Sequence, residues 1–205
     1  SLAVECELCR RWVMHDDRTF LFELRNGVQW HDRRLVGERS LNAEDFVFSY
    51  ERQNTPGAPN MGLLASVNSV VAETELSVRF ELAAPDADFM IGLADARSKI
   101  VAAEAVKVNR NLRSDPVVGV GSWKLANNTD FVFRFERHEA YFEDGLPYAE
   151  LLDINVIPNE FNLNAAFRVG QLDIVDIEPS QWEEILNDFP DAGSLFVRET
   201  GTGME

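Results

Sequence analysis

The side chains able to do chemistry are few and fall in three places. His15-Asp16-Asp17 and His31-Asp32 set imidazoles beside carboxylates, the pairing of a general base or of a metal site. Neighbouring residues on an extended strand point to opposite faces, so a His followed directly by Asp is a poor ligand pair. Both are read as surface turns or a structural His-Asp pair, with no metal assigned. His138 has no candidate partner near it in sequence. Cys6 and Cys9, in Cys6-Glu7-Leu8-Cys9, are the two cysteines of the chain. Zinc would need two further ligands at suitable spacing, and a thioredoxin-like motif would need a βαβ setting that the neighbourhood lacks. The pair is read as two small, partly buried residues one turn apart on a helix over 2–13, where Leu2, Cys6, Cys9 and Val13 share a face. A disulfide between them stays open for an oxidising compartment. Neither a Gly-x-Ser-x-Gly elbow nor a His-Glu-x-x-His run occurs. No residue is assigned a catalytic role, and the chain is read as no enzyme.

The elements that would carry these residues follow from patterning. Phe20, Phe22 and Leu24 alternate with Leu21, Glu23 and Arg25, which gives a strand with one apolar face. Asn26-Gly27 supplies a turn, and a three-residue bulged loop would pair Leu24 with Val28 and Phe22 with Trp30. Asn42 stands three residues before Asp45 and just ahead of Phe46, Val47 and Tyr50, as the N-cap of a helix does. A loop over 55–60 leads to extended segments over 66–72 and 76–82. A helix opening at Pro85-Asp86, a short strand at Ile100-Val101 and a helix over 102–108 come next. The polar run 109–115, ended by Pro116, is the best boundary in the chain. Beyond it a strand over 122–126 turns at Asn127-Asn128 into 131–136, where Phe131, Phe133 and Phe135 share a face. A strand over 152–157 and a helix over 160–169, stopped by Gly170, follow. Ser180 and Glu183 form a capping box for a helix through Leu186. A last strand is expected over 195–198. The aromatic stripes Phe20/Phe22/Trp30 and Phe131/Phe133/Phe135 are read as core, because period-two aromatics mostly face a sheet's interior.

Several of these stretches together resemble a known family. TFLFELR, NGVQWHD and LNAEDFVFSYER stand where the family 5 extracellular solute-binding proteins, the peptide- and nickel-binding receptors of ABC importers, carry a Phe-Thr-Leu-Arg strand, Gly-Val-x-Phe-His-Asp and Thr-Ala-x-Asp-Val-x-Phe-Ser-Tyr. Pro116-Val117-Val118-Gly119-Val120-Gly121-Ser122-Trp123 resembles the family's Gly-Thr-Gly-Pro-Tyr motif, and both glycines keep their spacing. Tyr141 to Tyr148 resembles its Tyr-Trp-x-Gly-x-Pro segment. Gly170-Gln171-Leu172-Asp173-Ile174 resembles its Gly-Glu-x-Asp-Ile strand. Trp30 replaces the usual Phe, Arg33 stands where a Gly normally follows His-Asp, and the loop to Leu41 is longer.

The resemblance implies a mixed α/β fold of the periplasmic-binding-protein-like type II class, present in part. Residues 1–115 would form the small subdomain of the first lobe, and 116–205 the central part of that lobe, truncated before the second. It implies export, to the periplasm or the cell exterior, with a leader or membrane anchor ahead of Ser1. Gly119, Gly121, Ser122 and Trp123 become the candidate ligand-binding residues, beside the crossing between lobes where such a receptor closes on its solute. The implied partners are a small solute, most simply a short peptide, and an ABC permease. No cofactor is implied. A solute-binding-like sensor domain of a transcriptional regulator is the alternative.

Composition agrees with binding over other classes. The 205 residues are 45% hydrophobic, ordinary for a globular chain with a real core. A formal charge of −16 repels nucleic-acid backbones and anionic membrane surfaces. No run approaches the roughly 18 apolar residues of a membrane span, so no direct membrane insertion is expected.

Overall fold

Alternation in two strands builds the main sheet. The computed structural model describes residues 4–58, 60–110, 112, 116–190 and 193. Strand β1 is Cys9–Met14, β2 Thr19–Leu24, β3 Val67–Thr74 and β4 Ser77–Leu82. They form an antiparallel sheet in the order β1-β2-β4-β3. Phe20, Phe22 and Leu24 of β2 and Val78, Phe80 and Leu82 of β4 are all buried, and the register sets Phe20 opposite Phe80 and Phe22 opposite Val78. One face of both central strands is therefore core.

Helix α1 (Ala43–Gln53) closes that face. Its start is fixed as its sequence predicts: the Asn42 side chain accepts from the Glu44 N–H at 3.1 Å, and the Asp45 carboxylate accepts from the Asn42 N–H at 3.0 Å. Phe46 and Tyr50 then face the sheet, with the Tyr50 ring 5.0 Å from that of Phe80. Helices α2 (Phe89–Ala94) and α3 (Ala103–Val108) complete the layer, Phe89 packing between Phe20 and Phe80. Arg39 joins α1 to α3 by forking onto both carboxylate oxygens of Asp45 (2.7 Å each) and onto Glu104 (3.0 and 2.9 Å). A second antiparallel sheet, β5 (Trp123–Asn128), β6 (Val132–Arg137) and β7 (Leu151–Asn155), has β6 in its middle.

The chain divides into two compact units, residues 1–155 and 156–205. The second holds α4 (Glu160–Arg168) and α5 (Trp182–Asp188). They are joined by Arg168, which pairs with Glu184 and Asp188, and by Phe167 against Phe189. Asn159 caps α4 and Gly170, at φ +72°, ends it.

Several expectations are corrected. Over the described residues 4–13, the helix expected over 2–13 is instead an irregular lead-in followed by β1. Trp12, Val13 and Met14 are exposed, so no helical face was there to bury, while pairing with β2 satisfies the backbone. Cys6 and Cys9 form a disulfide within that lead-in. The bulged hairpin after Gly27 does not form: β1 and β4 occupy both edges of β2, so Val28–Trp30 turns away, and Leu41 donates to the Val28 carbonyl. Val28 and Trp30 reach the core all the same. Ile100 and Val101 are not a strand, because the Val101 N–H is taken by the Ser49 hydroxyl of α1. Asn127 and Asn128 stay within β5, and the turn is made by Thr129, whose hydroxyl accepts from Phe131 and Val132. Phe131, ahead of β6, is exposed and not core. Segment 171–175 is not a strand, and its Ile174 side chain is exposed rather than packed on a sheet. A 3-10 turn over Pro179–Gln181 replaces the Ser180 capping box, so α5 starts at Trp182. The strand expected over 195–198 lies outside the described residues.

Candidate functional site

The antiparallel pairing of β5 and β6 sets Trp123, which opens β5, opposite Arg137, which ends β6. The next residue, His138, is thereby delivered to the segment entering β5, and its N–H donates to the Ser122 carbonyl at 2.8 Å. From the other side, buried Trp30 anchors the chain ahead of His31. The His31 N–H donates to the Gly119 carbonyl at 2.8 Å. Two distant histidines so meet over Gly119–Ser122, their rings 4.9 Å apart and nearly perpendicular at 85°.

Both rings reach one acceptor. Nε2 of His31 lies 2.8 Å, and Nδ1 of His138 3.2 Å, from the Gly121 carbonyl oxygen. A carbonyl only accepts, so both nitrogens carry protons. A neutral His31 then has an unprotonated Nδ1, and the Gly119 N–H donates to it at 3.3 Å. Burial, the largest effect, pushes both imidazoles below their ordinary pKa; the bond to Gly121 opposes it, while Lys124 lowers both and His138 lowers His31. For His31 the neutral state that the bond from the Gly119 N–H requires is also the state that burial favours. The approach at Gly119 is close: a Cβ there would sit 3.3 Å from Cε1 of His31, so the ring would have to give by a few tenths of an ångström.

All four candidate binding residues lie on this one segment. Gly119, Ser122 and Trp123 are half-buried and Gly121 is exposed, while Val120 between them is buried in the core. Gly119 and Gly121 also edge a cavity of about 600 Å³, walled by the lead-in 4–9, by α2 and the loop after it, and by Phe22, Tyr50 and Phe80. Ser122 and Trp123 do not line it.

The carboxylates of the other two candidate places are held by local hydrogen bonds. Asp16 accepts from the Arg18 N–H and the Thr19 hydroxyl, making the β1–β2 turn the surface feature its sequence suggests. Asp32 accepts from the Leu35 N–H rather than pairing with His31, which corrects the His-Asp reading of that site. Among the described residues no three His, Cys, Asp or Glu side chains are grouped to hold a metal. The histidine pair itself was invisible in the sequence, since even the Gly121 carbonyl that His31 reaches lies 90 positions further along the chain.

Comparison with known proteins gives the chain its relatives. The family described as "Bacterial extracellular solute-binding proteins, family 5 Middle" matches over residues 3–202. The chain is 34% identical over 112 residues to the dipeptide-binding protein of Escherichia coli, a match covering 47% of this chain and 21% of that one. It is 29% identical over 200 residues to heme-binding protein A of Haemophilus influenzae, covering 85% and 36%. Among solved structures, a dipeptide-binding protein from Pseudoalteromonas sp. in complex with Met-Leu superposes with a TM-score of 0.77 at 24% identity, over 88% of this chain and 40% of that one. The chain thus spans well under half the length of the proteins it matches.

Proposed function

The chain belongs to the bacterial extracellular solute-binding proteins of family 5, and from that premise we propose that it forms part of a two-lobed receptor that captures a short peptide and hands it to an ABC permease. Its fold is periplasmic-binding-protein-like type II, and its family's work is binding, not catalysis. In this reading residues 1–115 are the small subdomain of the first lobe, 116–205 belong to that lobe's centre, and the second lobe lies beyond this chain. Gly119, Gly121, Ser122 and Trp123 meet the solute as the lobes close by hinge motion.

The observation that carries the reading is the Gly119–Trp123 segment. It enters β5 with exposed backbone at Gly121, and the indole of Trp123 is half open to solvent. Peptides are held by strand-like main-chain hydrogen bonds beside tolerant side-chain pockets. The dipeptide-binding relative of Escherichia coli also favours a peptide over haem. A disulfide at Cys6–Cys9 suits an oxidising compartment outside the cytoplasm. No helix of the described residues is long and apolar enough to cross a membrane.

Thermal-shift screening of the complete gene product against di- to pentapeptides, haem, opines and metal chelates tests this. A ligand present at 100 times its Kd stabilises the native state by about 2.7 kcal/mol, a readable rise in Tm. A rise with peptides alone is expected. A rise with another class only, or with none, overturns the peptide assignment.

A further inference from the structure

We propose that His31 and His138 are positioning residues: by donating two ring N–H groups to the single Gly121 carbonyl, they hold Gly119–Trp123 in the course from which it meets the solute. The inference rests on the assignment of that segment to the binding cleft.

The segment leads into β5, bending at Gly121 and Ser122, holds two glycines, and has no Cβ at 119 or 121 to restrict it. Besides the buried Val120 and the pairing of Trp123 with Arg137, its backbone is tied at four points to the two histidines. The His31 N–H holds the Gly119 carbonyl, Nδ1 of His31 takes the Gly119 N–H, the two rings share the Gly121 carbonyl, and the His138 N–H holds the Ser122 carbonyl. A carbonyl with two lone pairs can serve two donors, so the arrangement is saturated and the Gly121 peptide cannot rotate without losing both bonds. One histidine follows the buried Trp30, and the other directly follows β6. The clamp therefore joins the segment to both of the layers that flank it.

The same geometry makes the clamp sensitive to acid. A proton on Nδ1 of His31 would point at the Gly119 N–H, exchanging a hydrogen bond for two opposed donors. A proton on either ring would put a cation 4.9 Å from its partner ring, with Lys124 the further charge acting on both. Among the described residues, no carboxylate is among the groups acting on the two rings to offset it. Acid would loosen the segment.

The test separates donor from ring. Glutamine places an N–H near the position of a histidine Nε2, and asparagine near that of Nδ1, while phenylalanine keeps the ring without a donor. In the 205-residue chain, amide hydrogen exchange is read at residue 138, whose N–H rests on Ser122 and lies across the segment from His31. His31→Phe is expected to speed that exchange at least tenfold, and His31→Gln to restore most of the protection. His138→Phe and His138→Asn are expected to behave the same way, read at the amide of residue 31. Should a Phe variant fail to fold, ring 15N shifts of the unaltered protein decide instead. At pH 7.5 His31 must be protonated at Nε2 and His138 at Nδ1, and acid must raise amide exchange at 31 and 138 in step with ring protonation. Unchanged exchange in the Phe variants, or the opposite tautomers, overturns the positioning role. Affinity of the complete gene product for Met-Leu, used as the probe, is measured beside this. Loosened exchange with unchanged affinity removes Gly119–Trp123 from the binding surface while leaving the clamp in place. Loosened exchange with a tenfold weaker Kd, restored by His31→Gln, supports both.

Discussion

Arg39 makes the most exacting contacts of any single residue. Its guanidinium lies over Trp30 and forks onto Asp45, which is 3% exposed, so the carboxylate has almost no water to fall back on. Hydrogen bonding to Asp45 is the main reason the Arg39 pKa is raised, and Arg39 is the main reason that of Glu104 is lowered. Arg39→Met leaves a buried charge unpaired and is expected to cost about 3 kcal/mol in urea denaturation. Arg39→Lys should recover less than half, since an ammonium cannot fork onto two oxygens. A loss below about 0.5 kcal/mol for the Met variant would show that Asp45 finds another partner. The two histidines yield a pH prediction at the same scale. Both have folded-state pKa values below the ordinary 6.5, so on acidification the unfolded chain takes up protons first. Their contribution to stability is complete above 6.5 and is lost as pH falls from there through the depressed folded-state values. Urea midpoints measured from pH 8 to 5 should fall more steeply for the unaltered protein than for the double variant His31→Phe/His138→Phe. Parallel curves would count against a buried, neutral pair.

At the scale of elements, the decisive contacts are those where one element approaches another's backbone. Gly92 in α2 faces the 3-10 turn Met61–Leu64, and a Cβ there would lie 2.5 Å from the Leu63 carbonyl oxygen. Backbone cannot yield as a flexible side chain does, so Gly92→Ala should destabilise by about 1 to 3 kcal/mol despite alanine's better helix propensity. Calorimetry showing an unchanged or raised Tm would mean that α2 slides away at no cost. β7 shows the opposite situation, an edge strand with Leu151, Leu152 and Ile154 all exposed.

That edge has its consequence for the molecule as a whole. An apolar edge strand offers unpaired backbone groups to a second chain, and the formal charge of −16 is the main force against such pairing. Light scattering of the 205-residue chain is expected to show a mass that rises with concentration and with salt, and Ile154→Lys should hold it monomeric. A strictly monomeric species at high concentration and high salt, where the charge is screened, would show that the edge does not pair and that charge is not what protects it. In the complete receptor this surface is available for the rest of the protein to cover.

Local order was readable from the chain itself. Strands β2 and β4, the Asn42 cap of α1, the Gly170 stop of α4 and the family signature all rest on residues within a few positions of one another, where alternation, capping and turn chemistry act. Pairing was not readable. Nothing local says that β2 takes β1 and β4 as its neighbours rather than the segment after Gly27, because any strand of suitable pattern competes for an open edge. The lead-in 4–14 shows the same limit: its helical spacing is real, but a backbone that can bond to an edge of the sheet gains more than a helix with no face to bury. The histidine clamp lies furthest from view, since His31 and His138 meet only when two sheets have formed and a glycine segment has been laid between them. Sequence alone determined which family this is and the course of β2, β4, α1 and α4. Only the tertiary structure decided which backbone groups found each other, because hydrogen bonds between distant segments depend on the folded path and not on any residue's neighbours.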